Sequence, residues 1–394
     1  MPSARLRHVA VFLAVAAAAQ LLAVGAGKGF LLTQLTMAAY YALVAVGLSL
    51  LMGFAGQISL GHAAFFAVGG YASAALTTWN LASHRGSGLV AALARAGLLQ
   101  ARTDLYGGSL LTVHPWAAAV AAVALALLLA WLVGIPVLKL SGHYLAMATL
   151  GVGTIIGSVA IGTEALGAAD GISGVPRLPL AFGAAVTGDS DQRVLNYWVA
   201  VAILALAMVL LLNLVRSRVG RALRAIHGAE DAARAMGVDT ARLKLRTFVL
   251  SAGLAAVAGV FLTHFNGGIG PSEASTMKSV KVVAMVAVGG MGSLWGTLAV
   301  SVVLNFLSLR GYFGTFDDAV FGGILILVML FSPDGVLAPD LRRSAGAAWA
   351  RLRAARARRR AGAGEAGEGG TGAGEAGAGE ARDGAAGAGG EERP

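Results

Sequence analysis

Residues that could catalyse a reaction or bind a metal ion are few in this sequence and widely spaced. It contains no phosphate-binding loop of the form G-x-x-x-x-G-K-[ST] and no H-E-x-x-H pair. Cysteine is absent, which excludes disulfides and cysteine-based metal sites. The seven histidines are scattered: His8, His62, His84, His114, His143, His227 and His264. We therefore expect a chain that is not an enzyme and holds no metal or cofactor of its own.

Glycines and polar side chains gather instead in three short stretches, residues 53–66, 140–149 and 288–296. Each lies beside or inside an apolar run. Irregular backbone at membrane depth is tolerated only where protein buries it or where it lines a water-filled cavity. One interpretation is that broken helices line a translocation path. The other is that the glycines allow tight turns and close helix packing, and the residues alone leave both open.

The amino-acid composition indicates the class of protein in which these stretches occur, and with it the elements that position them. Hydrophobic residues make up 57% of the 394 and charged residues 13%, whereas soluble domains carry about 25% charged residues. This excludes an ordinary soluble enzyme, a disordered protein and a nucleic-acid binder, and predicts an all-α polytopic membrane protein. The first acidic residue is Asp104, and none lies inside an uninterrupted apolar run. A proton-coupled carboxylate relay is therefore not expected, and the driving energy should come from outside this chain.

Nine apolar segments approach or exceed the roughly 20 residues that a helix needs to cross a bilayer. They are 9–26, 30–52, 58–78, 116–138, 144–161, 197–215, 248–265, 282–309 and 319–331. The predicted fold has about 8–10 transmembrane helices with broken or re-entrant segments. The first segment is expected to be a retained helix, because more spans follow it at once. Segment 282–309 is too long for one simple span, and 319–331 is short.

The distribution of Lys and Arg predicts the orientation. Loop 216–247 has eight basic and three acidic residues, whereas 162–196 has two basic and four acidic residues. The first is therefore predicted to be cytoplasmic and the second external, which places the N-terminus in the cytoplasm. A cytoplasmic Arg-rich tail requires an odd number of crossings between 280 and 333, so one of the last two apolar segments should be broken or re-entrant.

Two segments fall outside this bundle. Residues 80–114 form a predicted external insertion, with a short surface helix expected at 89–100. The membrane domain is predicted to end near 337, and 338–394 is a basic and then Gly/Ala/Glu-rich tail, expected to be disordered over 361–394 and cytoplasmic. Its basic run is interpreted as a topology anchor touching anionic lipid rather than as a nucleic-acid site.

The cytoplasmic loop also contains an amphipathic stretch. Between Gly220 and Gly237 the sequence predicts one short helix with an apolar stripe on one face. The stripe consists of Leu223, Ile226, Ala233 and Met236. Such a stripe should pack either on the chain's own bundle or in another subunit.

The chain resembles a known family, the LivM-type permease subunits of bacterial branched-chain amino acid ABC importers. The resemblance covers roughly residues 30–337. It is carried by GQISLGHAAFF at 56–66, KLSGHYLAMATL at 139–150, RSRVGRALRAIHGAEDAARAMGVD at 216–239 and AMVAVGGMGSLWG at 284–296. Segment 244–259 and the weaker match DGISGVP at 170–176 add to it.

The resemblance implies that loop 216–247 is the coupling loop, which contacts an ATPase subunit. Its E-A-A-x-x-x-G pattern corresponds to Glu230, Ala232, Ala233 and Gly237, and Asp231 is a small departure from it. The implied partners are a LivH-type permease, two cytoplasmic ATPase subunits that hold ATP and Mg, and an external substrate-binding protein, all at the bacterial inner membrane. The residues expected to line the translocation path are Gln57, Ser59, His62, Tyr144, Thr149, Gly289 and Gly290.

The implied function is ATP-driven import of leucine, isoleucine and valine by alternating access. Related permeases carry urea, short amides or other amino acids, and the sequence does not separate these substrates. A stand-alone facilitator or channel and a membrane scaffold are the alternatives from other classes. The importer hypothesis predicts that Leu223, Ile226 and Met236 lie at a subunit interface.

Overall fold

Helices make up most of the chain in the computed structural model, which describes residues 3–82, 88–103, 109–180 and 183–331. The first seven are α1 (Ser3–Gly25), α2 (Phe30–Ser49), α3 (His62–Thr78), α4 (Gly88–Arg95), α5 (Pro115–Val137), α6 (His143–Gly162) and α7 (Arg193–Arg216). The others are α8 (Arg218–Gly228), α9 (Glu230–Ala235), α10 (Thr240–Asn266), α11 (Thr276–Gly289), α12 (Leu294–Leu309) and α13 (Asp317–Phe331). A π-helical turn, Leu50–Phe54, extends α2.

Six helical segments are long and apolar enough to cross a bilayer: Arg7–Gly25, Phe30–Phe54, Pro115–Val137, His143–Gly162, Ser190–Arg216 and Thr240–Asn266. Helices α3, α11, α12 and α13 are also apolar but have only 14–17 residues. The predicted all-α polytopic membrane fold is confirmed. The predicted span 58–78 begins only at His62, because residues 56–61 are not helical.

Helix α2 lies at the centre of the bundle, with 89% of its apolar window buried. It contacts α7, α10, α11 and α12, while α10 also packs on α3 and α5. Small residues bring α3 and α10 close together, since a Cβ on Gly69 would lie 2.4 Å from the carbonyl oxygen of Ala256. Helix α1 is peripheral, with 11% of its window buried.

The long segment 282–309 is the broken one. Helix α11 ends at Gly289, and α12 begins at Leu294 with Ser293 as its N-cap. Asn305 on α12 contacts Met285 on α11, so the two helices are antiparallel. Lys281 near the start of α11 pairs with Asp317 at the start of α13, so α13 again runs in the direction of α11. The chain therefore forms three helices of alternating direction here, and the odd number of membrane crossings stays a prediction.

The predicted insertion 80–114 holds α4 and an antiparallel pair of strands, β1 (Leu99–Thr103) and β2 (Ser109–Val113). The surface helix predicted at 89–100 is wrong at its C-terminal end, because Leu99 and Gln100 pair with β2. Four two-residue strands complete the described structure: β3 (Ile172–Ser173) pairs with β6 (Gly268–Ile269), and β4 (Leu178–Pro179) pairs with β5 (Ala185–Val186). The predicted tail, 338–394, lies outside the described residues.

Candidate functional site

The glycine-rich stretches 53–66 and 288–296 meet at a backbone contact. A Cβ on Gly53 would lie 1.4 Å from the carbonyl oxygen of Met291, so only glycine fits there. Beside it, Ser49 Oγ donates to that same oxygen at 3.4 Å, and Thr297 Oγ1 donates to Ser49 Oγ at 3.2 Å. The π-turn at the end of α2 is thereby attached to the turn between α11 and α12.

The stretch 140–149 joins the same region through α6. The backbone N–H of Leu60 donates to Thr149 Oγ1 at 3.0 Å. A Cβ on Gly61 would lie 2.3 Å from the carbonyl oxygen of Thr149. We call the contacts at Gly53, Gly61, Thr149 and Met291 the junction. It unites all three stretches that the sequence indicated.

Three of the predicted path residues, Gln57, Ser59 and His62, are buried at the junction. Ser59 Oγ lies 2.9 Å from His62 Nδ1, and His62 Nε2 lies 2.8 Å from Ser251 Oγ on α10. The imidazole therefore bridges two hydroxyl groups. Both amide atoms of Gln57 lack a hydrogen-bond partner within the described part of the chain. In this conformation the three side chains fill protein interior.

The other predicted path residues are placed differently. Thr149 is buried, whereas Tyr144 is 72% exposed at the start of α6. A Cβ on Gly289 would lie 2.5 Å from the Cα of Thr297, and Gly290 has a φ of +92° that favours glycine. These two glycines make the α11–α12 turn possible. The role of the seven residues in translocation stays a prediction.

Loop 216–247, the predicted coupling loop, contains two helices, α8 and α9, and the prediction of a single helix is wrong. The break falls at Ala229, whose backbone is extended at φ −159° and ψ 98°. Leu223, Ile226 and Ala233 are each at most 4% exposed within this chain. The expectation that Leu223 and Ile226 lie at a subunit interface is therefore wrong, because α8 packs on α7, α10 and the π-turn. Met236 is 84% exposed, as an interface residue requires.

The solvent-facing side of α9 carries Asp231, Ala232, Met236 and Gly237, all exposed. Glu230 is turned toward α10, where Lys244 donates to its carboxylate, and it also pairs with Arg234 at 3.3 Å. Burial alone would raise the pKa of Glu230, but the hydrogen bond from Lys244 and the nearby positive charges lower it below the usual value. Glu230 thus fixes α9 to the bundle.

One hydrogen bond connects the coupling loop to the junction. His227 Nδ1 on α8 donates to the carbonyl oxygen of Gly53 at 3.0 Å. The His227 ring also covers Gly56, whose ideal Cβ position lies 3.3 Å from it. Helix α8 is therefore in direct contact with the π-turn and with Gly56.

An ion pair inside the bundle was not indicated by the sequence. Lys278 Nζ on α11 donates to Glu273 Oε1 and to the hydroxyl of Tyr41, each at 3.0 Å. Tyr41 itself donates to Glu273 Oε1 at 2.9 Å. Glu273 was missed because it precedes the apolar run of α11 and resembles a loop residue. The available signal was its place between two apolar segments, 248–265 and 282–309.

No group of three or more His, Cys, Asp or Glu side chains suited to a metal ion occurs among the described residues. Three polar features of the described chain are the junction, the coupling loop and the Glu273–Lys278 ion pair. Their chemistry is that of hydrogen bonding and charge recognition.

Comparison with known proteins shows to which family the chain belongs. The chain is 30% identical over 337 residues to the high-affinity branched-chain amino acid transport system permease protein LivM of Salmonella typhimurium, covering 79% of this chain and 72% of that protein. The same figures hold for LivM of Escherichia coli strain K12. LivH of Salmonella typhimurium is 28% identical over 315 residues, covering 77% of this chain and 92% of LivH.

No solved structure matches the chain at a significant level. The family described as the permease component of branched-chain amino acid transport systems matches residues 30–329, which is most of the chain. That range includes the junction, both helices of the coupling loop and the buried ion pairs. The chain belongs to this family of branched-chain amino acid transport permeases.

Proposed function

We propose that this chain is the membrane-spanning subunit of an ATP-driven, binding-protein-dependent importer of leucine, isoleucine and valine. The observation that carries the proposal is the hydrogen bond from His227 on the coupling loop to Gly53 at the junction. It links a surface for an external motor to a break in the membrane helices. The similarity to LivM supports the substrate.

The proposed motor is a pair of cytoplasmic ATPase subunits, which hold ATP and Mg. They would contact the exposed side of α9 at Asp231, Ala232, Met236 and Gly237. A LivH-type permease is the proposed companion in the membrane, and an external binding protein delivers the amino acid. The similarity of this chain to LivH as well as LivM supports two related permeases that pack together.

The proposed location is the bacterial inner membrane, with the N-terminus and the tail in the cytoplasm. The excess of basic residues in 216–247 supports this orientation. The three alternating helices α11, α12 and α13 support it too, because an odd number returns the chain to the cytoplasmic side.

The proposed mechanism is alternating access. When the ATPases close, they move α8 and α9 as a unit, because the two helices pack on each other. His227 then pulls on the π-turn, and the backbone contacts at Gly53 and Gly61 shift with it. Three broken segments change together, since the junction joins them.

The experiment is uptake of labelled leucine by cells that lack their own leucine transporters and express the complete proposed importer. Unlabelled valine and isoleucine should compete, whereas urea and acetamide should not. Competition by urea or acetamide alone would overturn the substrate assignment. Leucine uptake by this chain without the ATPases would favour a facilitator.

A further inference from the structure

The ion pair between Glu273 and Lys278 lies level with the middle of a helix that is long enough to cross a bilayer. Its partner Tyr41 is near the middle of the helical segment Phe30–Phe54, which is long enough to cross the membrane. Charged side chains at that depth are costly and usually mark the path of a substrate or an ion. The pair therefore calls for a functional explanation.

The backbone around the pair is broken. Helix α10 ends at Asn266, a short strand and a single helical turn, Pro271–Ala274, follow, and α11 begins only at Thr276. The turn packs against α3 and α6, so the chain re-enters the bundle before α11 starts. Such backbone at membrane depth must be covered by protein or face a wet cavity.

The pair is only partly covered by this chain. The side chain of Lys278 is 28% exposed and that of Glu273 is 17% exposed, and Met277 beside them is 46% exposed. A charged pair that faces lipid tails would be strongly unfavourable. This face must therefore be turned toward water or toward another protein.

Hydrogen-bonding capacity at the pair is left over. Glu273 Oε2 is buried and has no partner among the described residues. The same holds for the hydroxyl of Tyr71, which is 5% exposed on α3 and packs against Ala274. Unpaired buried polar atoms are unfavourable and call for an explanation such as a bound water, ion or substrate. The second carboxylate oxygen of Glu273, which pairs with Lys278, and the hydroxyl of Tyr71 therefore remain available for hydrogen bonds.

We propose that Tyr41, Tyr71, Glu273 and Lys278, here called the polar cluster, bind the ammonium and carboxylate groups of an α-amino acid during its passage. Glu273 takes the ammonium, while Lys278 and the first backbone N–H groups of α11 take the carboxylate. In the empty chain the two side chains neutralise each other. A zwitterion replaces one ion pair with two, so no unpaired charge is left in the membrane.

This assignment rests on the proposed function and narrows it to one substrate class. Urea and short amides carry no opposite charges, so they would leave the Glu273–Lys278 pair intact and gain little from it. The polar cluster thus favours α-amino acids over neutral solutes of similar size. The junction, by contrast, contributes no charged side chain near Gln57 or His62 and suits conformational change.

The test is leucine uptake by proteoliposomes that hold the complete importer, with ATP inside and leucine-loaded binding protein outside. The double variant Glu273→Gln/Lys278→Gln removes both charges together, so neither is left unpaired and folding is preserved. We expect uptake to fall at least about tenfold, since hydrogen bonds to charged groups are the stronger ones. ATP hydrolysis stimulated by the loaded binding protein should continue, because the coupling loop is intact. Lys278→Arg should retain most of the uptake.

The matched control is an ion pair between α11 and α13. Lys281 pairs with Asp317 and, at 2.7 Å, with Asp318 across α11 and α13, away from Tyr41. Lys281→Gln/Asp317→Asn should reduce stability but leave uptake per folded importer unchanged. If the wild type imports leucine and the polar-cluster double variant imports it equally well, the inference is overturned and the proposed function stands. If the wild type imports none, the proposed function fails and the inference fails with it.

Discussion

Replacing Gly53 with alanine is expected to destabilise the protein, because the added methyl group has no space. Its carbon would lie 1.4 Å from the carbonyl oxygen of Met291. A backbone carbonyl cannot rotate away as a side-chain end can, so the π-turn and the α11–α12 turn must separate. Overpacking typically costs 1–3 kcal/mol, and a backbone clash belongs at the upper end, about 3 kcal/mol. Alanine regains about 1 kcal/mol over glycine in helical backbone, which leaves a net loss of about 2 kcal/mol.

The assay is thermal denaturation of the purified chain in detergent, and Gly292→Ala is the matched control. Gly292 follows Met291 in the same turn, has no positive φ, and no described atom lies within 4 Å of its ideal Cβ. We expect the apparent Tm of Gly53→Ala to fall by several degrees and that of Gly292→Ala to change by about one degree or less. Equal melting temperatures would refute the backbone contact at the junction.

Three further predictions concern the coupling loop and the topology. Burial would raise the pKa of Glu230, but its lysine partner holds the pKa below the usual 4.5. The stabilising effect of this ion pair is therefore complete above pH 4.5 and is lost as the pH falls through the lowered pKa. The Tm difference between wild type and Glu230→Gln should therefore shrink below about pH 4.5, and a constant difference would contradict the ion pair. His227→Ala removes a hydrogen bond worth about 1 kcal/mol and should cut ATP-driven uptake about fivefold. The control His143→Ala, at the exposed start of α6, should leave uptake unchanged. Equal uptake by the two variants would contradict transmission through α8. The chain lacks cysteine, so a single introduced cysteine reports on its own position. In spheroplasts, Ser190→Cys on the external side should react with an impermeant maleimide, whereas Ser141→Cys on the cytoplasmic side should react only after permeabilisation. The opposite pattern would mean that the predicted topology is inverted.

The membrane helices were predictable because their signal is continuous and local. The segment predicted at 30–52 is observed as Phe30–Phe54, and the break inside 282–309 falls at the glycines that interrupt it. Glycine spacing also indicated the three stretches of the junction. That they touch one another was not predictable, since the contact between Gly53 and Met291 joins residues far apart in the chain.

Two features depended on packing and were missed. An apolar stripe predicts that a helix face is covered but not by which protein, and the bundle itself covers Leu223 and Ile226. The ion pair of Glu273 was missed because the partners that allow its burial, Tyr41 and Lys278, come from two other elements. A single sequence shows a charged residue without showing what neutralises it.

The most direct test of the central claim is leucine uptake by proteoliposomes containing this chain, a LivH-type permease and the ATPase subunits. Four conditions are compared, with and without internal ATP and with and without external binding protein. We expect uptake only when both are present, since the coupling loop needs the motor and the path needs a loaded donor. Leucine flux that requires neither would contradict it.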